Sequence, residues 1–373
     1  MLKVSVSSPQ PTAKKEQAQS SISSNNTASN TPSAPLQTTG KQLTITGSGD
    51  ILIHDSIWYE AQRNSNGDGP NFAPALAGVK KLISGADYSI CHNETAFSQI
   101  GNITSFPHYY VHPNLAKGIA KTGFDDCSTA SNWTFDKGMA GIRRTVNSLN
   151  AAGVNQSGAN VSKEASDNRI VIRDVKGVKL VHLSYTDPGD SPGVPGKSWA
   201  VNRQSPAQIA VDAHKAREMG AQIVIVSLAM GEMGPTETNS HQRAAVKTIT
   251  AGHDVSFIIG HGSHTTQPAE KVNGTWVVWH GNLLAAFYPD ERRMHEGLVS
   301  KVTFTQQPDQ SWAATKVVGY PVLTTRDPVL AVDMSDDHCD VVPDRWREAY
   351  SSIKSIESDA IKDGFILRKP CQG

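Results

Sequence analysis

The stretch Val255-Ser256-Phe257-Ile258-Ile259-Gly260-His261-Gly262-Ser263-His264 sets the reading of the whole chain. Residues 255–259 form a short apolar run of the kind a buried strand needs, and the run stops at glycines that carry two imidazoles. In open α/β sheets, ligands collect beyond the carboxyl ends of strands. A histidine pair in a glycine-rich loop is also common as an ordinary hydrogen-bonded loop. The pair therefore takes its meaning from the other loops that would meet it.

Five further strands end in the same manner. Residues 42–47 alternate Leu43 and Ile45 with threonines and stop at Ser48-Gly49-Asp50. Residues 87–91 run into His92-Asn93-Glu94-Thr95, residues 124–130 into Ser131-Asn132-Trp133, and residues 222–228 into Ala229-Met230-Gly231-Glu232. The last follows residues 272–279, at His280-Gly281-Asn282. Helical spacing marks 72–84, 115–122, 138–152, 206–219 and 241–251, and a helix over 344–363 closes the chain. Lys176-Gly177, Asn273-Gly274 and Pro308-Asp309 sit between paired strand signals and read as hairpins, so antiparallel strands are mixed with parallel ones. The pattern predicts a layered α/β fold with mixed sheets rather than a purely parallel doubly wound one. The expected division is a tether over 1–41, one domain over 42–325 and a helical extension over 326–373.

Composition narrows the function classes. Of the 373 residues, 35 are Lys or Arg and 35 are Asp or Glu, so no basic excess exists to neutralise a phosphate backbone, and nucleic acid is excluded as the expected partner. Residues 5–40 are almost wholly Ser, Thr, Asn, Gln, Pro and Ala, which cannot bury enough apolar surface to offset ordering. Such stalks commonly follow an export signal or an anchor. The expected location is therefore extracellular or tethered on the outer face of a membrane, with a cytosolic disordered tail as the alternative. The first ten residues lack an apolar signal core, and no run of 18 apolar residues occurs. Four cysteines, Cys91, Cys127, Cys339 and Cys371, match no zinc spacing. In an oxidising compartment the natural pairing is 91 with 127 and 339 with 371, one of three connectivities; four reduced thiols are the other reading.

Asp50, Glu94, Asn132, His261 and His264 supply the carboxylate, amide and imidazole donors that a divalent cation accepts. Each has an ordinary alternative, as a cap, an Asx-turn or a solvated carboxylate. Their shared position at strand ends argues for one crevice. Thr46-Gly47-Ser48-Gly49-Asp50-Ile51-Leu52-Ile53-His54 and Cys91-His92-Asn93-Glu94-Thr95 resemble the Gly-Asp strand end and the Asn-x-Glu loop of the bacterial capsule-synthesis CapA family. Residues 126–138 look like that family's Ala-Asn-Asn-His-x-x-Asp-x-Gly segment, and residues 227–232 stand where Leu-His-Trp-Gly-x-Glu is expected. Residues 260–264 resemble Gly-His-His-Pro-His, and residues 279–283 resemble Ser-Leu-Gly-Asn-Phe; order and intervals match from about residue 43 to 287.

The resemblance implies an α/β/β/α sandwich like that of the calcineurin-like metallophosphatases. It also implies a divalent cation, Mn, Zn or Fe, on Asp50, Glu94, Asn132, His261 and His264, with catalytic roles for His261, His264, Glu232 and Asn282. Three family imidazoles are missing, because Trp133, Ala229-Met230 and Gly262 stand at their places. Indole offers no lone pair and a methyl offers nothing, so the remaining set suits one cation, with His54 and His92 as neighbours able to compensate. Trp133 has two readings, wall packing or stacking on a sugar ring. His182, His214, His241, His253 and His295 read as ordinary core or surface residues. Two functions follow: a metal-dependent hydrolase acting on an anionic surface polymer or its precursor, or a non-catalytic binding or assembly factor whose altered site holds polymer or stabilises a membrane synthesis complex.

Overall fold

Alternation along the strands, two residues per repeat, builds the interior. The computed structural model describes residues 40–371 apart from 66, 100–102, 105–107, 188, 190–192, 204, 287–290 and 336–342. The tether up to residue 39 thus lies outside the described residues. In chain order come β1 (Gln42–Leu52), α1 (Asp55–Arg63), α2 (Lys80–Ser84), β2 (Tyr88–Asn93), β3 (Ala96–Phe97), β4 (Tyr110–Val111), α3 (Asn114–Thr122), β5 (Asp126–Ser128), α4 (Gly138–Ala151) and β6 (Asn155–Ser157). Next are α5 (Lys163–Asp167), β7 (Ile172–Val175), β8 (Val178–Thr186), α6 (Pro206–Glu218), β9 (Ile223–Ala229), α7 (Ser240–Ile249), β10 (Phe257–His261), β11 (Thr266–Val272) and β12 (Thr275–His280). The chain ends through β13 (Asn282–Ala285), β14 (Glu296–Gln306), β15 (Trp312–Thr324), β16 (Ala331–Asp333), α8 (Asp344–Ile356), α9 (Ser358–Lys362) and β17 (Ile366–Leu367).

Among the described residues, nine strands form the larger sheet in the order β16-β15-β14-β1-β2-β5-β6, with β13 on β1 and β17 on β15. Six form the smaller sheet, β11-β12-β10-β9-β8-β7. Pairing is parallel from β1 to β6 and from β8 to β12 by way of β9 and β10, and antiparallel at β14–β15, β7–β8 and β11–β12. Leu43, Ile45 and Ile90 of the larger sheet pack against Ile223, Ile225, Phe257 and Ile259 of the smaller. The larger sheet's other face is covered by Ile57, Leu115, Ile119 and Leu149, and the smaller sheet's by Ile209, Ala213, Val246 and Ile249. The layers are therefore α/β/β/α, as the sequence leads one to expect.

The inward file of each central strand is graded along its length. Tyr88 and Ile90 lead to His92, Phe257 and Ile259 to His261, and Trp276 and Val278 to His280. Because the parallel strands point the same way, their polar ends gather at one end of the sandwich.

Several elements differ from expectation for local physical reasons. β1 does not stop at residue 47: it runs to Leu52 through register shifts between Gly47 and Asp50 and between Asp50 and Ile51. Gly49 permits this, since a Cβ there would lie 2.3 Å from the Gly281 carbonyl oxygen. The helix expected over 72–84 is broken into a 3₁₀ turn, Pro74–Leu76, and α2. Residues 326–373 hold the expected helices and also add β16 and β17 to the larger sheet. Cys91 and Cys127 are disulfide-bonded across paired strands β2 and β5; Cys371 is disulfide-bonded, and Cys339 lies outside the described residues. Among the described residues no helix is long and apolar enough to cross a membrane.

Candidate metal centre and its cleft

Asp50 organises the polar end of the sandwich. It is wholly buried, and its two oxygens sit 3.0 Å from His261 Nδ1 and 3.0 Å from His264 Nδ1. Its backbone N–H donates to the Gly281 carbonyl at 2.9 Å. Two donor groups share this carboxylate, Asp50/His92/His261 and Asp50/Glu94/His264, and in each the ligand atoms lie within 4.8 Å of one another. His92 stacks on His261 with ring centroids 4.0 Å apart, and its Nδ1 lies 2.5 Å from Ser128 Oγ. His264 Nε2 is 3.6 Å from Glu94 Oε1. Asn282 clamps His264 from behind: its Oδ1 is 3.2 Å from Nδ1, and its Nδ2 donates to the His264 carbonyl at 2.9 Å.

His264 has φ +58, a left-handed backbone that costs a residue with a Cβ about 1–2 kcal/mol. The Asn282 clamp and the Asp50 contact hold it there.

The electrostatics suit a cation. Burial raises a carboxyl, yet the hydrogen bonds from His261 and His264 hold Asp50 well below the usual carboxylate range. Burial pushes Glu94 up. For His264 burial acts downward, and Glu94 and Asp50 overcome it to push the imidazole above its ordinary value. Burial drives His92 well below the usual imidazole range and His280 down to about 3. Two carboxyl groups are thus packed beside imidazoles of which His92 and His280 are held neutral by burial. His261 Nε2 and Glu94 Oε2 are buried without a hydrogen-bond partner among the described residues, a state that costs about 1–3 kcal/mol per atom unless something binds there. The donor set and these two atoms fit a divalent cation.

A cleft of ≈ 200 Å³ opens on the centre, lined by His92, Glu94, Asn132, Trp133, Thr186 and His264, among others. Of the residues expected at the site, Asp50, Glu94, His261, His264 and Asn282 converge, and Asn132 stands on the cleft wall. Glu232 is exposed and is not among the lining residues. His54 lies to one side, 3.1 Å from Tyr109 Oη, with burial lowering it to about 4.

Trp133 is carried by a 3₁₀ turn, Asn132–Phe135, and meets Tyr109 edge-on with centroids 4.9 Å apart. Gly262 has φ +107, and a Cβ on it would lie 3.0 Å from Met230 backbone atoms. An imidazole there would need both a strained left-handed backbone and a small shift of Met230.

Two contributors were not assigned from sequence, and His92, expected only as a neighbour able to compensate, takes a full place among the donors. His92 is a donor because it continues the inward file of Tyr88 and Ile90, a signal the alternation does carry. Ser128 and Thr186 are small hydroxyls at strand ends with no distinguishing motif. A separate polar array is buried between the sheets, with Ser227 Oγ 2.9 Å from His182 Nε2 and His182 Nδ1 3.3 Å from Asp126. Tyr88 and Arg173 also contact Asp126. The array resembles a nucleophilic triad in connectivity, but none of its members lines the cleft, and it serves packing.

Residues 44–286 match the family described as bacterial capsule synthesis protein PGA_cap. The PGA biosynthesis protein CapA of Bacillus subtilis (strain 168) is 25% identical over 179 residues, 46% of this chain and 45% of that protein. The match thus spans about half the length of that curated relative. Among solved structures, the Haemophilus influenzae NAD nucleotidase is similar at 13% identity and a TM-score of 0.46, covering 89% of this chain and 65% of that one. The calcineurin-like phosphoesterase YfkN from Bacillus subtilis is similar at 15% identity and a TM-score of 0.45, covering 84% and 98%.

Proposed function

From its place in the bacterial capsule synthesis protein PGA_cap family, to which this chain belongs, we propose a cation-dependent site acting on an ester linkage of an anionic cell-surface polymer or its precursor. One observation carries the reading: two buried donor groups share Asp50, and each leaves an unpartnered atom, His261 Nε2 or Glu94 Oε2. When bound, a divalent cation such as manganese, zinc or iron supplies Lewis acidity toward an ester oxygen and lowers the pKa of water. The chain's own residues do the positioning. Asp50 orients two imidazoles at once, Ser128 holds the His92 ring, and Asn282 fixes His264. His264 and Glu94 line the cleft, with His264 Nε2 3.6 Å from Glu94 Oε1. This reading puts the protein at the outer face of the cell envelope, alongside a membrane synthesis complex.

The test is elemental analysis of tag-free protein, followed by turnover of bis(p-nitrophenyl) phosphate with manganese or zinc. Bound metal and turnover that vanish together in His261→Ala, with little change in thermal midpoint, are expected. Protein that neither binds metal nor turns over ester would refute the reading. Trp133, Ala229 and Gly262, which bring no imidazole to the cleft, favour a second reading, a binding or assembly factor. Metal retained without turnover of any ester would select it.

A further inference from the structure

Thr186 ends β8 at the rim of the cleft, 2% exposed, with its Oγ1 lacking any hydrogen-bond partner among the described residues. Its backbone is committed: N–H donates to the Asn202 carbonyl at 3.0 Å, and the residue pairs with Ala229 in the sheet. A buried hydroxyl without a partner is costly in a protein, and a water or ligand group that pairs with it removes that cost. It is outside both donor groups around Asp50.

Beside it on the same cleft stand the Asn132 amide and the half-buried Trp133 indole, fixed edge-on by Tyr109, whose hydroxyl is 3.1 Å from His54 Nε2. Met233, 60% exposed, adds an apolar side chain to the rim.

An aromatic face next to hydroxyl and amide groups is the chemistry that recognises a saturated sugar ring. The apolar face of the ring packs on the indole, and its hydroxyls pair with the polar groups at its edge. We propose that Trp133, Asn132 and Thr186 form a subsite for one pyranose ring whose anionic substituent reaches His264 and Glu94. The inference rests on the ester reading above and specifies its substrate as a sugar phosphate or a glycosyl-linked phosphodiester. Size supports one ring over two, since a cleft of ≈ 200 Å³ is below the ~300–1,000 Å³ of drug-sized pockets and leaves little room for a base and a ribose together.

Calorimetric titration of the full, manganese-supplemented chain tests this with four probes: inorganic phosphate, glycerol 3-phosphate, glucose 1-phosphate and adenosine monophosphate. Glucose 1-phosphate should bind about tenfold more tightly than glycerol 3-phosphate, from one hydrogen bond and one stacking contact. That ratio should fall toward one in the isosteric Thr186→Val and in Trp133→Leu, two changes that keep the volume of buried or wall positions largely filled. Equal affinities in the unmodified chain, or an unchanged ratio in both variants, would overturn the subsite while phosphate binding leaves the ester reading standing. Tighter binding of adenosine monophosphate overturns the choice of a pyranose. If no phosphate binds at all, both readings fall.

Discussion

At position 262 the family's histidine cannot simply be restored. Gly262→His forces a side chain into a left-handed backbone with Met230 atoms 3.0 Å from its Cβ. A loss of about 1–3 kcal/mol in urea denaturation is expected, without an added equivalent of metal. Unchanged stability together with extra bound metal would show that the loop is free to reshape. Ser128 is the converse case, a residue with no motif and a specific role. Its Oγ contacts His92 Nδ1, which leaves Nε2 as the ring's lone-pair nitrogen for the centre. Ser128→Ala should weaken metal affinity by about 10- to 100-fold in chelator competition, the usual effect of losing a partner that orients a ligand, at a stability cost near 1 kcal/mol. Equal metal affinity would show that packing alone orients the ring.

At the scale of elements, the step from β12 to β13 carries the chain from the smaller sheet to the larger within Gly281. Gly281 has φ +66, and a Cβ on it would lie 2.7 Å from Thr266 N, so a glycine is required where the two sheets exchange a strand. The junction of α8 and α9 holds a different device. Glu357 is fully buried, accepts the Ala269 N–H of β11 at 2.9 Å, and is pushed by burial up to about 8 from 4.5. A carboxyl whose folded pKa is raised keeps the proton in the folded state while the unfolded chain releases it. Its contribution is therefore intact below the unfolded value of 4.5 and is lost as pH rises toward about 8. Glu357→Gln, which retains an acceptor for Ala269, should remove a pH-dependent loss on the order of a few kcal/mol, flattening thermal midpoints between pH 5 and about pH 8. Parallel pH profiles of variant and unmodified protein would show that Glu357 does not ionise in the folded chain.

For the whole molecule, the grading of the sheet interface has a thermodynamic consequence. Apolar contacts hold one end, while the other concentrates Asp50, Glu94, His92, His261 and His264, with Glu94 Oε2 and His261 Nε2 lacking a hydrogen-bond partner among the described residues. A ligand that binds only the folded state stabilises it by about 2.7 kcal/mol at a hundredfold excess over Kd. Thermal midpoints should accordingly rise with added manganese or zinc and fall with EDTA, and His261→Ala should abolish the dependence. A midpoint indifferent to both additions would show that the polar end is stable without a cation.

The sequence by itself determined the strand–loop rhythm, the hairpins at Lys176-Gly177 and Asn273-Gly274, and a layered α/β class with mixed sheets, because these depend on local periodicity and turn chemistry. It also singled out Asp50, Glu94, His261, His264 and Asn282, each marked by its place after an apolar run. Only the tertiary structure decided that His92 joins them, that Glu232 turns to solvent, and that Ser128 and Thr186 matter. These facts depend on which face of a strand meets which partner sheet. Contacts such as Asp50 to His261, 211 residues apart, are written in packing and not in any local pattern.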